Sequence, residues 1–359
     1  MRIYKLDGLR GIFSLMIVFF HYREAFLPEF MHQLFFVRQA YTFVDFFFVL
    51  SGYVIAFNYN QLNSFKEFKI YIKKRFVRLF PLLFFTTTLT LIFDFVGNFY
   101  LPSLVNNVDS LSVLLLRYMD TLFFTNSCPI LGSTSGINGA SWSISSEMIS
   151  YLAFGIISIY TIGKRKNLII ATLIFICIAF SVYNGSHFNT GDYGFIRGLI
   201  SFNFGFFVWY TSNLKTIKQI PNVFEYMIPV MLLIIFYVMH NYLNEYNKEM
   251  FGLFIVPIFF SLSIAVLLRT NGGLSNFLSS KPLVFLGDIS YSIYLNHALM
   301  VIVIPKIIFS LFKVPQNTFT ELFLLILIIA LTIIVSNYTY LYIEKKGGKV
   351  LRNYLFEKN

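Results

Sequence analysis

Charge is scarce in this sequence. Of 359 residues only 13% are Asp, Glu, Lys or Arg, against about 25% in an ordinary soluble domain. Hydrophobic residues make up 57%, and mean hydropathy is +0.69. A soluble fold has too little polar surface to cover that much apolar material. A soluble globular enzyme and a disordered chain are both excluded. The two cysteines, Cys128 in a polar linker and Cys177 in an apolar run, supply neither a disulfide framework nor a metal set. His21, His32, His187, His240 and His297 are scattered, with no pair at metal-ligand spacing, so no metal site is expected. A Walker A loop and a Gly-x-Ser-x-Gly elbow are missing. So are the short alternating strands of an outer-membrane barrel.

What the chain has instead is long apolar runs, such as 289–308 and 322–335. Runs of this length read as membrane-spanning helices. The expected fold is an all-α polytopic membrane helix bundle of ten spans. They cover 11–30, 41–58, 79–97, 143–162, 168–184, 195–212, 226–242, 251–268, 289–312 and 322–343. A shorter stretch, 111–124, carries Arg117 and Asp120 and reads as interfacial or re-entrant. The basic start followed by an apolar run imitates a signal peptide, but no small-residue cleavage site follows. It is read as a retained first helix. Alternate loops hold twenty-one Lys and Arg, and the remaining loops hold four. That asymmetry predicts both termini on the cytoplasmic side. It also explains the net charge of +11 without nucleic acid, through positive-inside bias and anionic membrane lipids. No soluble domain is expected after the last span, only a short basic tail at 346–359.

Polar residues inside such spans are costly and are functional candidates by default. Arg10 and His21 are eleven residues apart, which places them on one helix face about 16 Å apart. The arginine would sit at the cytoplasmic interface and the histidine near mid-membrane. The first suits an anionic group and the second a base; a snorkelling arginine and a hydrogen-bonded core histidine are the structural alternative. Arg75 and Arg78 share a face at i, i+3 and suit phosphate, or else lipid headgroups. Ser143, Glu147 and Tyr151 form an i, i+4, i+8 row behind Trp142. Glu147 is expected about two turns below the outer surface, where it could orient an imidazole, bind a sugar hydroxyl or act as a hydrogen-bond hub. Ser290, Tyr291, Tyr294 and His297 form a further stripe, with His297 the rival to His21 as base. Asp45, ahead of Ser51, and Arg197 are read as a structural ion pair. Asp94 and Lys306 lie near span ends and are expected to snorkel.

Together these residues resemble the acyltransferase-3 family of integral-membrane acyltransferases. Leu6-Asp7-Gly8-Leu9-Arg10-Gly11, with His21 following, is similar to the family's opening. Val44-Asp45-Phe46-Phe47-Phe48-Val49-Leu50-Ser51-Gly52-Tyr53 is similar to its second-helix motif. Arg75-Phe76-Val77-Arg78 resembles its Arg-x-x-Arg, and Trp142-Ser143-Ile144-Ser145-Ser146-Glu147 its Trp-Ser-Leu-Ser-x-Glu. Arg197 with Phe202 and Gly205 resembles a sixth-helix pattern. Gly287-Asp288-Ile289-Ser290-Tyr291-Ser292-Ile293-Tyr294-Leu295-Asn296-His297 resembles a late motif.

The resemblance implies one transmembrane domain over 1–345 in a bacterial plasma (inner) membrane. It implies transfer of an acyl group, usually acetyl from acetyl-CoA, to a hydroxyl of a cell-surface or lipid-linked glycan. Acetyl-CoA would be a co-substrate, with no bound cofactor. Arg10, Arg75 and Arg78 would hold the CoA donor, and His21 would act as base or acyl relay. Glu147 would hold the acceptor or tune a histidine. Some members carry an extracytoplasmic SGNH domain. Without one, this chain would work alone, as a homo-oligomer, or with a separate acyl-acceptor protein. The rival class is a polysaccharide exporter, since intramembrane polar groups also suit a pathway.

Overall fold

The computed structural model describes residues 2–22, 24–102, 105, 108–130, 136–213 and 219–356. Lys215, Lys218 and Lys358, three of the twenty-one basic residues of the alternate loops, lie outside the described residues, as does Arg23. So does the end of the expected tail. The described residues form helices and no strand: α1 (Tyr4–His21), α2 (Phe35–Arg38), α3 (Phe43–Tyr59), α4 (Phe65–Phe99), α5 (Leu111–Leu122), α6 (Trp142–Tyr160), α7 (Gly163–Asn184), α8 (Gly194–Ser212), α9 (Phe224–Asn241), α10 (Glu245–Leu267), α11 (Gly273–Leu278), α12 (Lys281–Asp288), α13 (Ser290–Pro305), α14 (Thr318–Thr339) and α15 (Gly348–Phe356). Two π-helical segments, Lys306–Leu311 and Tyr340–Gly347, extend α13 and α14.

Eight of these helical stretches are long and apolar enough to cross a membrane. The other two expected spans are present as α1 and α8, of 18 and 19 residues. Lys5, Asp7 and Arg10 lower the hydropathy of α1, and Arg197 and Asn203 lower that of α8. Those polar side chains meet protein rather than lipid, so the bundle tolerates them. The first span is displaced from its expected limits. It starts at Tyr4 and stops at His21, which is its last residue. Single 3₁₀ turns at Glu24–Phe26 and Glu29–Met31 follow. Pro28 between them has no N–H to continue a helix. The 111–124 stretch forms the 12-residue α5, about 18 Å long and too short to span. It packs on α4, where Thr88 Oγ1 and the Tyr118 hydroxyl are 3.0 Å apart.

The centre of the bundle is the α3–α8 seam. A Cβ at Gly52 would lie 1.8 Å from the carbonyl oxygen of Phe202, and one at Gly205 2.0 Å from that of Val49. Only glycine lets the two backbones approach this closely. The Phe35–Tyr59 stretch is accordingly 72% buried, whereas α7 and the Thr318–Phe356 stretch are 22% buried. The poorly buried helices, with exposed Leu168, Phe175, Phe323 and Ile326, form a lipid-facing rim. The well-buried ones enclose the site.

Candidate active site

A cavity of about 340 Å³ opens between α1, α3, α4, α6 and α13. Helical periodicity decides who faces it. From α1 come Leu6, Asp7 and Arg10, from α6 Ser143 and Glu147, and from α13 Tyr291 and Tyr294. Ser51 on α3 and Arg78 on α4 complete the polar wall. Arg10 is 3.6 Å from Asp7. Arg78 makes no hydrogen bond or ion pair among the described residues, and its side chain is exposed within the cavity. Arg2, at the mouth, donates to Asp7 at 2.7 Å and pairs with Asp288. These carboxylates hold its guanidinium above its ordinary pKa.

Glu147 is bound by hydroxyls. Ser51 Oγ donates to its Oε1 at 2.6 Å, and the Tyr151 hydroxyl donates to the same oxygen. Ser51 Oγ and the Tyr151 hydroxyl are 2.9 Å apart. No imidazole contacts Glu147, so of its expected roles the hub and the hydroxyl binder fit, and tuning a histidine does not. Nor is it set apart from the arginines toward the opposite surface, because it lines their cavity. Arg75 departs from expectation as well. Its guanidinium stacks over the rings of Tyr59 and Tyr151 at 5.5 and 6.0 Å instead of joining Arg78 in the cavity. Tyr291 donates its hydroxyl to the carbonyl oxygen of Leu79 at 2.8 Å, tying α13 to α4 beside Arg78.

His21 and His297, weighed as rivals from sequence, are neighbours with ring centroids 4.9 Å apart. Neither lines the arginine cavity. His297 sits one turn beyond Tyr294 on α13, with ring centroids 5.7 Å apart. Tyr294, which accepts from Ser143 Oγ at 2.8 Å, therefore separates the cavity from the imidazoles. His21 Nδ1 lies 2.9 Å from the carbonyl oxygen of Ile17. A carbonyl can only accept, so Nδ1 carries the proton and Nε2 keeps its lone pair. His21 is exposed. His297 is fully buried and neither ring nitrogen has a partner among the described residues.

Asp45 and Arg197 form the expected ion pair, fully buried. Arg197 Nη2 donates to Asp45 Oδ2 at 2.6 Å and to the carbonyl oxygen of Tyr41 at 2.9 Å. Ser201 Oγ donates to Asp45 Oδ1 at 2.8 Å. The guanidinium lies between the rings of Phe188 and Trp142, at 4.9 and 5.3 Å. Trp142, a site candidate by motif, thus braces this pair. His187, in the loop before α8, is buried 3.9 Å from Asp45. Burial first, and Arg197 nearby, push its pKa down to about 4.

Sequence reasoning missed Glu344. The π-helical turn after α14 carries it to α13, where Ser292 Oγ donates to it at 3.0 Å. The only signal was a carboxylate ending a long apolar run ahead of Lys345 and Lys346. Asp94 and Lys306 do not snorkel. Both line a second cavity, and Lys306 is buried.

The family model described as an acyltransferase domain matches residues 3–341, and the chain belongs to that acyltransferase-3 family. The O-acetyltransferase OatA of Staphylococcus aureus (strain NCTC 8325 / PS 47) is 24% identical over 372 residues, covering 96% of this chain and 57% of its own. The peptidoglycan O-acetyltransferase OatA of Listeria monocytogenes is 23% identical, covering 99% of this chain and 59% of its own. The chain thus spans somewhat over half the length of these relatives. No solved structure matches it.

Proposed function

We propose that the protein is a membrane O-acetyltransferase moving an acetyl group from acetyl-CoA to a glycan hydroxyl. The observation that carries this reading is Arg78, unpaired and exposed in a cavity that also holds Arg10. Two guanidiniums facing one space, one without an acidic partner, suit the phosphates of a CoA donor. Arg75 is left out of the donor set, since its charge rests on two tyrosine rings. The thioester would extend along α1 and past Tyr294, which must give way, over the eleven residues, about 16 Å, from Arg10 to His21.

At that point His21 Nε2 takes the proton of the acceptor hydroxyl. The oxygen attacks the thioester carbonyl, the C–O bond forms, and the C–S bond breaks. The imidazolium returns the proton to the departing thiolate. An acyl-histidine relay would use the same nitrogen as nucleophile. Glu147, held by Ser51 and Tyr151, places a negative charge opposite the arginines and keeps their spacing when the donor is absent.

The test is the O-acetyl content of the surface polysaccharide, by NMR, in cells with wild type or His21→Ala at equal membrane levels. Loss of an O-acetyl signal at normal polysaccharide yield is the expected result. Unchanged acetylation would remove His21 as the base. Lost surface polysaccharide with unaltered acetylation would instead make the protein an exporter.

A further inference from the structure

Helix α13 serves two separate cavities. Ser290, Tyr291 and Tyr294 line the arginine cavity, while Ala298, Leu299, Ile302 and Val303 line a second one of about 230 Å³. His297 falls between the two sets, buried against His21 and with both ring nitrogens unpartnered among the described residues. Helix α4 repeats the division. Arg78 and Leu79 face the first cavity, and Thr90, Asp94 and Asn98 the second. Sixteen residues from Arg78 to Asp94 are about 24 Å of helix. The two cavities therefore sit at opposite ends of the same helices, with the histidine pair between them.

Their chemistry differs. The second cavity is walled by Asp94, Asp109, Arg117, Lys306, Asn98 and Asn138. Two carboxylates face two cations, so its formal charge is balanced. Arg117 is committed to Asp109 at 2.7 Å and to the carbonyl oxygen of Gly136 at 2.9 Å. The Asp94 carboxylate accepts no hydrogen bond from the described residues. Asn138 donates to the carbonyl oxygen of Leu295 at 3.3 Å, fixing this wall two residues from His297. A charge-balanced pocket of carboxylates and amides, with one carboxylate uncommitted, recognises a neutral polyol better than a phosphate.

We infer that this second cavity is a saccharide site. It would hold a sugar on the side of the histidine pair opposite the arginines, with Ala298 and Leu299, the residues after His297, in its wall. The inference rests on the acetyltransferase reading for what happens next, but binding itself does not. The cavity offers a clean steric handle. A Cβ at Gly139, in its wall, would meet no atom within 4 Å, so a larger side chain can be placed at the cavity wall without a backbone clash.

The experiment uses the purified full chain in detergent, chitotetraose as the neutral saccharide, and no CoA. Saturation-transfer NMR reports saccharide binding, and thermal stabilisation by CoA is read separately on each variant. Wild type should bind chitotetraose at millimolar concentration. Gly139→Leu and Asp94→Asn should weaken that binding by about tenfold or more, with the CoA-induced shift intact as evidence of folding. Arg78→Ala should do the reverse. Failure of the wild type to bind the saccharide, or full binding by Gly139→Leu, would overturn the assignment. Saccharide binding that follows this pattern while wild type transfers no acetyl group would uphold the pocket and defeat the proposed function.

Discussion

At the scale of single residues, the Asp45–Arg197 pair illustrates how a membrane bundle keeps a charge. Both side chains are fully buried; Arg197 Nε and Nη2 both donate to Asp45, Nη2 also to the Tyr41 carbonyl oxygen, and Ser201 donates to Asp45 Oδ1. Removing one member leaves the other charged and unpaired, which costs about 3–5 kcal/mol. Asp45→Ala should therefore collapse thermal stability in detergent and lower membrane abundance. An Asp45→Asn, Arg197→Met double variant should recover part of the loss, because no lone charge remains. A double variant as unstable as Asp45→Ala would show that the charges themselves are required. His187 beside them sets a pH dependence. Its pKa falls from 6.5 to about 4 on folding, so the unfolded chain takes up the proton first. The neutral-histidine contribution is complete above about 6.5 and declines as pH drops toward 4, by about 1.4 kcal/mol per unit at most. Asp45 and Arg197, from α3 and α8, are the charged groups facing its ring, and Glu249 of α10 accepts its backbone N–H at 2.6 Å. Unfolding midpoints of wild type should drop over this window, and those of His187→Asn should drop less. Parallel curves would remove His187 as the source.

At the scale of elements, close helix approach governs the interior. Gly52→Ala places a methyl group 1.8 Å from the Phe202 carbonyl oxygen, a backbone atom that cannot move without α8. Overpacking costs about 1–3 kcal/mol even where side chains can adjust. Gly52→Ala should thus give little folded protein by fluorescence size-exclusion, whereas Gly139→Ala, with open space around its Cβ, should behave as wild type. Helix periodicity made much of the site legible beforehand. The spacing of Tyr291 and Tyr294, and of Ser143 and Glu147, held because each pair lies within one helix. What failed needed a neighbouring element. Arg75 shares a face with Arg78, yet Tyr59 and Tyr151 capture its charge. Glu344 reached α13 only because a π-helical turn rotated it there. The end of α1 at His21 was hidden because the apolar residues after it occur in 3₁₀ turns around Pro28.

At the scale of the whole molecule, the eight apolar stretches and the buried α1 and α8 make a bundle whose two cavities point away from each other. Hydropathy identified the apolar stretches but could not see either cavity. Cavities are made by which faces meet, and Asp94 and Lys306 look like ordinary span-end charges until α4, α5 and α13 are packed together. The charge bias of the loops assigns a side to each cavity. It predicts the basic 59–78 segment and the residues after α14 on the cytoplasmic side, and the segment between α4 and α5 on the opposite side. Both native cysteines are buried, so single introduced thiols can be read against a low background. Val108 is exposed beside the second cavity, and Lys69 and Lys349 are exposed at the other end. A membrane-impermeant maleimide should label Val108→Cys in intact cells. It should label Lys69→Cys and Lys349→Cys only after the membrane is opened. Labelling of Val108→Cys and Lys69→Cys from the same side would mean that α4 does not cross. Donor and acceptor would then have to enter from one face, and transfer between opposed cavities would be untenable.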